Sequence, residues 1–221
     1  MRTGLGRTPG IGVTAALALT VSTGLAGCGE GAGQAAPPAS AVVRVNGESG
    51  WNGTPLQDGY PLPEQTFTDT AGDEMVPARD AKAPVTLVFF GYTSCPDVCN
   101  VVLANIASAL RGSSDDVRDS VGLLFVTTDP ARDKPRVVRE YLDRFDPTYE
   151  GLVAPVETVE QAARQLHVAY ERPHRTTGGY QVDHGAYTTA FVGGRARLVW
   201  SPETSVADVR ADLARLASEA S

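Results

Sequence analysis

Residues 83–112 have the sequence APVTLVFFGYTSCPDVCNVVLANIASALRG, which predicts a strand, a short connection and a helix. The run 83–92 is rich in β-branched and aromatic residues, as expected of a strand covered on both faces of a sheet. The run 96–112 has apolar residues at helical spacing, with Pro96 in its first turn and Gly112 at its end. The side chains expected on the buried face of this helix are Val98, Val101, Val102, Asn105, Ile106 and Ala109.

Strands and helices alternate along the rest of the chain, which predicts an α/β fold with a central mixed sheet and helices on both faces. Residues 121–130 are typical of a second buried strand, and the pair Gly193 and Gly194 suits the turn of a hairpin. Ser205 is expected to cap the last helix. The remaining predicted elements are an N-terminal strand extension over 42–47 and 62–75, helices over 134–145, 157–170 and 205–220, hairpin strands over 186–194 and 196–200, and a loop or extended insertion over 172–185.

The first residues predict export and a lipid anchor. Arg2 and Arg7 precede a short apolar run that ends in LAGC at residues 25–28, a pattern typical of a bacterial lipoprotein signal. We therefore expect residues 1–27 to be a signal peptide and Cys28 to carry the lipid. A plain signal peptide, or an uncleaved anchor, with an incidental cysteine is the alternative.

The segment after this signal has almost no large apolar side chains and therefore cannot form a hydrophobic core. Residues 28–41 are mostly Gly, Ala and Pro, which predicts a flexible tether. Residues 42–221 are long enough for one domain with a substantial core. The expected location is a bacterial cell membrane, with the domain anchored through lipid on the extracytoplasmic side.

Charge and cysteine content limit the possible functions. The formal net charge is −7, which argues against a nucleic-acid partner. Apart from Cys28, the chain has only Cys95 and Cys99. Two cysteines in an exported domain indicate either a disulfide or a guarded thiol pair.

Cys95 and Cys99 are four residues apart at the start of the predicted helix, so their side chains lie on one side of it. Their Cα atoms should be roughly 6 Å apart, which suits both a disulfide and two ligands of one metal ion. The helix N-terminus should lower the thiol pKa and so favour thiolate. A redox disulfide, a metal-binding pair and two inert buried thiols all remain open at this point.

The three histidines differ in their surroundings. His167 lies in a helical pattern and is expected to be an exposed or half-buried helix residue, and His174 lies among cationic side chains that disfavour a metal. His184 follows Asp183 at the entrance of a predicted strand, on a loop that can approach the cysteines. Two thiolates and one imidazole suit copper, as Cu(I) or Cu(II), better than structural zinc, which would require a fourth protein ligand.

Three motifs, GYTSCPDVCN at 91–100, VTTDPARDKP at 126–135 and YQVDHG at 180–185, together resemble the Sco/SenC family of thioredoxin-fold copper proteins. The resemblance implies a thioredoxin-like fold and copper ligation by Cys95, Cys99 and His184. It also implies that Asp183 and Asp129 lie near the site, in contact with its ligands. The sequence departs from the family at Asn100, where a proline is usual, and at Gly185, where Ser or Thr is frequent.

The resemblance implies delivery of copper to the binuclear CuA centre of cytochrome oxidase, or reduction of the cysteines of that centre. The expected partners are the oxidase subunit that carries CuA, another copper chaperone and the membrane. The alternative is a thiol-disulfide reductase that uses Cys95 and Cys99 as a redox disulfide. Three residues separate the two cysteines, and no proline occurs between 174 and 201, so the pattern favours copper over a thioredoxin-type reductase.

Overall fold

A computed structural model describes residues 50–172, 174–176, 179–181 and 185–221. The helices of this part are α1 Pro77–Asp80, α2 Val98–Arg111, α3 Asp115–Ser120, α4 Pro135–Leu142, α5 Val156–Gln165 and α6 Val206–Ala220. The strands are β1 Thr54–Pro55, β2 Phe67–Asp69, β3 Glu74–Met75, β4 Val85–Gly91, β5 Val121–Thr127, β6 Glu150–Val153, β7 His174–Thr176, β8 Gly179–Gln181, β9 Thr188–Val192 and β10 Arg195–Trp200. Across the described ranges, every helix is too short or too polar to cross a bilayer.

The described strands form one mixed sheet in the order β1-β10-β9-β4-β5-β6-β2-β3, and β7 pairs with β8 separately. Strands β4, β5 and β6 are parallel, and β9 runs antiparallel to β4 with Phe89 opposite Thr188. The carboxyl end of β4 and the amino end of β9 therefore lie at the same rim of the sheet. This rim, defined by Gly91, Thr127 and Thr188, is called the carboxyl rim below.

Each face of the sheet has its own apolar core. Leu87 and Phe89 of β4 pack on the side of α2, α3, α4 and α6, whereas Val88 and Phe90 pack on the side of α5. All seven residues of β4 are buried, as the continuous apolar run predicted. Each fully buried Leu or Phe contributes roughly 1.5–3 kcal/mol, so β4 and α2 form a rigid support for the connection between them.

Most elements predicted from the sequence are present within two or three residues of the expected bounds. Gly193 and Gly194 both have positive φ, 56° and 77°, as a tight hairpin turn requires. The hydroxyl of Ser205 accepts a hydrogen bond from the backbone N–H of Asp208, so the predicted cap of α6 is also confirmed. The predicted strand at 42–47 lies outside the described residues.

Some expectations about the helices were wrong. Val101, expected on the buried face of α2, is 48% exposed, because the buried face instead includes Cys99 and Leu103. His167 lies just past the end of α5, with φ 54°, and is not a helix residue. The expectation of a loop or extended insertion over 172–185, by contrast, agrees with the paired strands β7 and β8 that this segment contains.

Candidate metal centre

The two cysteines lie at the carboxyl rim, in the connection between β4 and α2. The backbone N–H of Cys95 donates to the carbonyl oxygen of Tyr92 at 3.1 Å and closes a turn directly after β4. Cys99 lies in the first turn of α2. Cys95 is 6% exposed and Cys99 is fully buried, and both are in the thiol form. The sequence therefore predicted correctly that one helix start brings both sulfurs to the same side.

The last residue of β4 leaves room for the second sulfur. A Cβ atom on Gly91 would lie 2.8 Å from a ring carbon of Phe125 and 3.2 Å from the Sγ of Cys99. Such distances are tighter than ordinary van der Waals contact. Glycine at this position therefore allows Cys99 to pack directly over the end of the strand.

The two thiols are coupled to each other. The pKa of Cys99 is raised well above its ordinary value, first by a hydrogen bond with Cys95 and then by burial. The expectation that the helix start lowers the thiol pKa is therefore wrong for Cys99, since the neighbouring sulfur and the loss of water outweigh it. The thiol–thiol hydrogen bond is lost when both sulfurs bind a metal, because ligation requires thiolates and releases their protons.

Two tyrosines lie close to this pair. Burial, followed by charge on Cys95 and Cys99, raises the pKa of Tyr92 to about 12. The pKa of Tyr141 is also raised, by burial first and then by charge on the same two sulfurs. Both hydroxyls keep their protons at neutral pH, so each can donate a hydrogen bond beside the thiols.

Asp133 holds the cysteine-bearing connection to the neighbouring strand. This fully buried carboxylate accepts hydrogen bonds from the N–H of Thr93 at 2.9 Å and from its hydroxyl at 2.6 Å. It also accepts a hydrogen bond from the hydroxyl of Thr127, at the end of β5, at 2.7 Å. Sequence reasoning did not single out this residue, although an acid just after a buried strand at the carboxyl rim was an available signal.

Asp129, expected beside the metal ligands, is also fully buried at the end of β5. Its carboxylate pairs with Arg132, whose guanidinium carbon lies 6.0 Å from the centre of the Tyr92 ring. Asp129 is thus linked to the cysteines through two intervening side chains.

The predicted third ligand, His184, and its neighbour Asp183 lie outside the described residues. The chain that follows is described: the N–H of Gly185 donates to the carbonyl of Ala169 at 2.7 Å, and Ala186 packs against the core cluster that contains both cysteines. Across the described ranges, no three His, Cys, Asp or Glu side chains are close enough together to hold a metal ion.

The other two histidines are described in part. His174 is the first residue of β7. The ring of His167 is exposed and lies edge-on to Tyr60, with 5.3 Å between the ring centres. This contact with Tyr60 gives His167 a packing role.

Solved structures define the class of this protein. The fold is similar to that of apo Sco1 from Thermus thermophilus, with a TM-score of 0.66 and 33% identity, over 75% of this chain and 96% of that one. It is also similar to Bradyrhizobium japonicum ScoI, solved with copper bound, with a TM-score of 0.62 and 32% identity, over 72% of this chain and 98% of that one. The domain is therefore thioredoxin-like, as the sequence resemblance implied.

The family follows from the sequence match. The family model described as SCO1/SenC matches residues 62–218, so the chain belongs to the SCO1/SenC family. Among curated relatives, the mitochondrial protein SCO1 of Saccharomyces cerevisiae is 34% identical over 121 residues, which cover 54% of this chain and 41% of that protein. The chain spans about half the length of the curated relatives it matches.

Proposed function

We propose that this protein is a membrane-anchored, extracytoplasmic copper chaperone that assists assembly of the CuA centre of cytochrome oxidase. The observation that carries the proposal is the contact between the thiols of Cys95 and Cys99 at the carboxyl rim. Membership of the SCO1/SenC family and the copper bound to the Bradyrhizobium japonicum relative support the choice of metal.

Cys95, Cys99 and His184 are the proposed ligands. Thiolates favour Cu(I), and an imidazole is a good ligand for both Cu(I) and Cu(II), so this set suits copper in either oxidation state. The described contacts of Gly185 and Ala186 support a third ligand from this segment, because Ala186, two residues after His184 in the sequence, packs against the core cluster that contains both cysteines. Asp183 and Asp129 are proposed to orient the ligands.

Delivery would proceed by ligand exchange. Copper held by two sulfurs and one nitrogen at the rim passes to the cysteines of the oxidase subunit, and another copper chaperone supplies the next ion. A lipid on Cys28 and a tether over 28–41 would keep the domain close to its membrane partner and so raise the effective concentration.

Anaerobic copper titration of the full-length chain tests the proposal. We expect the reduced protein to bind one copper ion and the disulfide form to bind none, because ligation requires two thiolates. Equal copper uptake by both forms would rule out the dithiol site. Absorption and EPR spectra recorded during the titration report the ligand type.

A pair of variants tests the third ligand. His184→Ala should abolish the thiolate–Cu(II) charge-transfer band or greatly weaken copper binding, whereas the matched control His174→Ala should change neither. An unchanged spectrum in the His184 variant would remove this residue from the site.

A thiol-disulfide reductase is the second candidate, and it is favoured by the dithiol contact alone. This function requires Cys95 and Cys99 but not His184. If His184→Ala retains full activity in reducing the oxidised cysteines of a CuA-bearing subunit, while copper binding is absent in the wild type, this second function is the correct one.

A further inference from the structure

The residue that replaces the usual proline after the second cysteine makes two specific contacts. The side-chain oxygen of Asn100 accepts a hydrogen bond from the hydroxyl of Tyr141 at 3.1 Å. Its side-chain nitrogen donates to the backbone carbonyl of Cys95 at 3.4 Å. The amide thus connects α4 to the backbone of the first cysteine, and a proline would make neither contact.

Tyr141 is a fixed donor. Its side chain is 2% exposed and packs between Phe125 and Phe145, with ring centres 5.7 and 5.3 Å away. The guanidinium carbon of Arg144 lies 4.5 Å from the centre of the same ring. Because the ring is enclosed on several sides, its hydroxyl holds the Asn100 amide in one orientation.

Formation of a disulfide brings the two sulfurs to about 2.05 Å with a fixed torsion about the new bond, and any adjustment of the turn that carries Cys95 moves the carbonyl that Asn100 holds. The contact between Asn100 and the Cys95 carbonyl exists in the dithiol form and opposes such a shift. One hydrogen bond of this kind changes an equilibrium constant by roughly two- to tenfold.

We propose that Asn100 and Tyr141 act as one positioning unit that holds the Cys95 backbone in place and so favours the dithiol form of the cysteine pair over its disulfide. The inference builds on the proposed function, in which the dithiol is the copper-binding form. In this chain, the equilibrium between the dithiol and the disulfide of Cys95 and Cys99 would then depend on Asn100, the residue that stands in place of the proline.

The test is a redox titration of the full-length chain with glutathione, without copper. Each protein dithiol is oxidised to a disulfide by one glutathione disulfide, which is reduced to two glutathione molecules, so two electrons and two protons leave the protein. The chain carries Cys28→Ser, which leaves Cys95 and Cys99 as its only cysteines. The ratio of disulfide to dithiol is measured by thiol alkylation and mass spectrometry.

Tyr141→Phe and Asn100→Ala should each shift the equilibrium about two- to tenfold towards the disulfide, and a tenfold shift corresponds to about 30 mV. The double variant should shift it no further than the larger single change, since both residues act through one contact. Asn100→Pro should behave as Asn100→Ala does.

The matched control is Tyr149→Phe. The hydroxyl of Tyr149 is buried and makes no hydrogen bond to the described residues, so its removal should leave the redox equilibrium unchanged. Equilibrium constants within twofold of wild type for both single variants would overturn the inference, as would a fully additive double variant. Copper titration of the wild type is separate: its failure would refute the proposed function without altering the redox comparison.

Discussion

Asp133 and Asp212 are two buried carboxylates that connect distant parts of the chain, and they differ in what they connect. Asp133 joins Thr93, in the cysteine-bearing connection, to Thr127 at the end of β5. Its hydrogen bonds fix a segment on which the position of both sulfurs depends.

Asp212, on α6, uses the same chemistry at a place without cysteines. It accepts hydrogen bonds from the N–H groups of Asn52 and Gly53 and from the side-chain amide of Asn52. It also accepts one from the indole N–H of Trp200 at 2.8 Å. The comparison teaches that burial and hydrogen bonding alone do not identify a functional acid. Substitution of a buried acid affects the candidate metal site only when the segment that the acid holds carries residues of that site.

Alanine substitutions at these two positions should have the largest effect. Asp133→Ala and Asp212→Ala each leave buried donors without an acceptor, so each should lower the free energy of unfolding by about 3 kcal/mol. Only Asp133→Ala should also weaken copper binding, by about tenfold. Urea unfolding and copper titration of both variants measure the two effects.

Asp133→Asn, which retains one acceptor oxygen, provides a milder version if the alanine variant does not fold. Wild-type copper affinity in a folded but destabilised Asp133 variant would remove the distinction between the two carboxylates.

A second pair of variants, with a smaller effect, tests whether the site is sensitive to crowding as well as to lost hydrogen bonds. Gly91→Ala should cost about 2 kcal/mol, because the added methyl group meets Phe125 and the Cys99 sulfur. It should also shift the copper absorption band. Gly122→Ala is the control, since Gly122 lies at the start of β5, away from the carboxyl rim. A Cβ atom there would meet only Ala83, at 3.0 Å. An identical band in both variants would contradict the close packing of Cys99 over the strand.

The smallest expected effect is a stabilisation. His167 ends α5 in a left-handed conformation, with the N–H of Val168 bonded to the carbonyl of Ala163 at 2.8 Å, a position that favours glycine. His167→Gly should raise the free energy of unfolding by about 0.5 kcal/mol, part of the gain being offset by the lost contact with Tyr60. Copper affinity should stay unchanged, and His167→Ala, which keeps the strain, should not be stabilised. A change in copper affinity in the His167→Gly variant would mean that copper binding follows the overall free energy of unfolding and not only contacts at the site.

The sequence predicted the main strands, the hairpin and the last helix because their apolar patterns are long or their turn residues are specific. It did not predict β6 or α3, which are only 4 and 6 residues long and too short to show a period. Val101 was wrongly placed on the buried face of α2 because Cys99 was treated only as a functional residue, whereas it also packs in the core.

The candidate site was predictable to the extent that its parts are close in sequence. Cys95 and Cys99 are within one helical turn, so spacing alone brings them together. Asp133 and Tyr141 reach the site from other elements, and their partners Thr93 and Asn100 are about 40 residues away in the chain. Such contacts depend on strand order and register, which a single sequence does not reveal. The role of His184 stays a prediction.

The antiparallel register between β4 and β9 fixes the point at which the segment that carries the proposed third ligand joins the sheet. The length of that segment therefore limits where the ligand can lie. Thr188 is fixed opposite Phe89, and the N–H of Gly185, one residue after His184 in the sequence, is bonded to the carbonyl of Ala169. Inserting one glycine between His184 and Gly185 would add up to about 3.6 Å to the distance at which the ligand can lie from this held point, without altering any ligand. Metal affinity in this protein would then depend on a residue count as well as on residue identity.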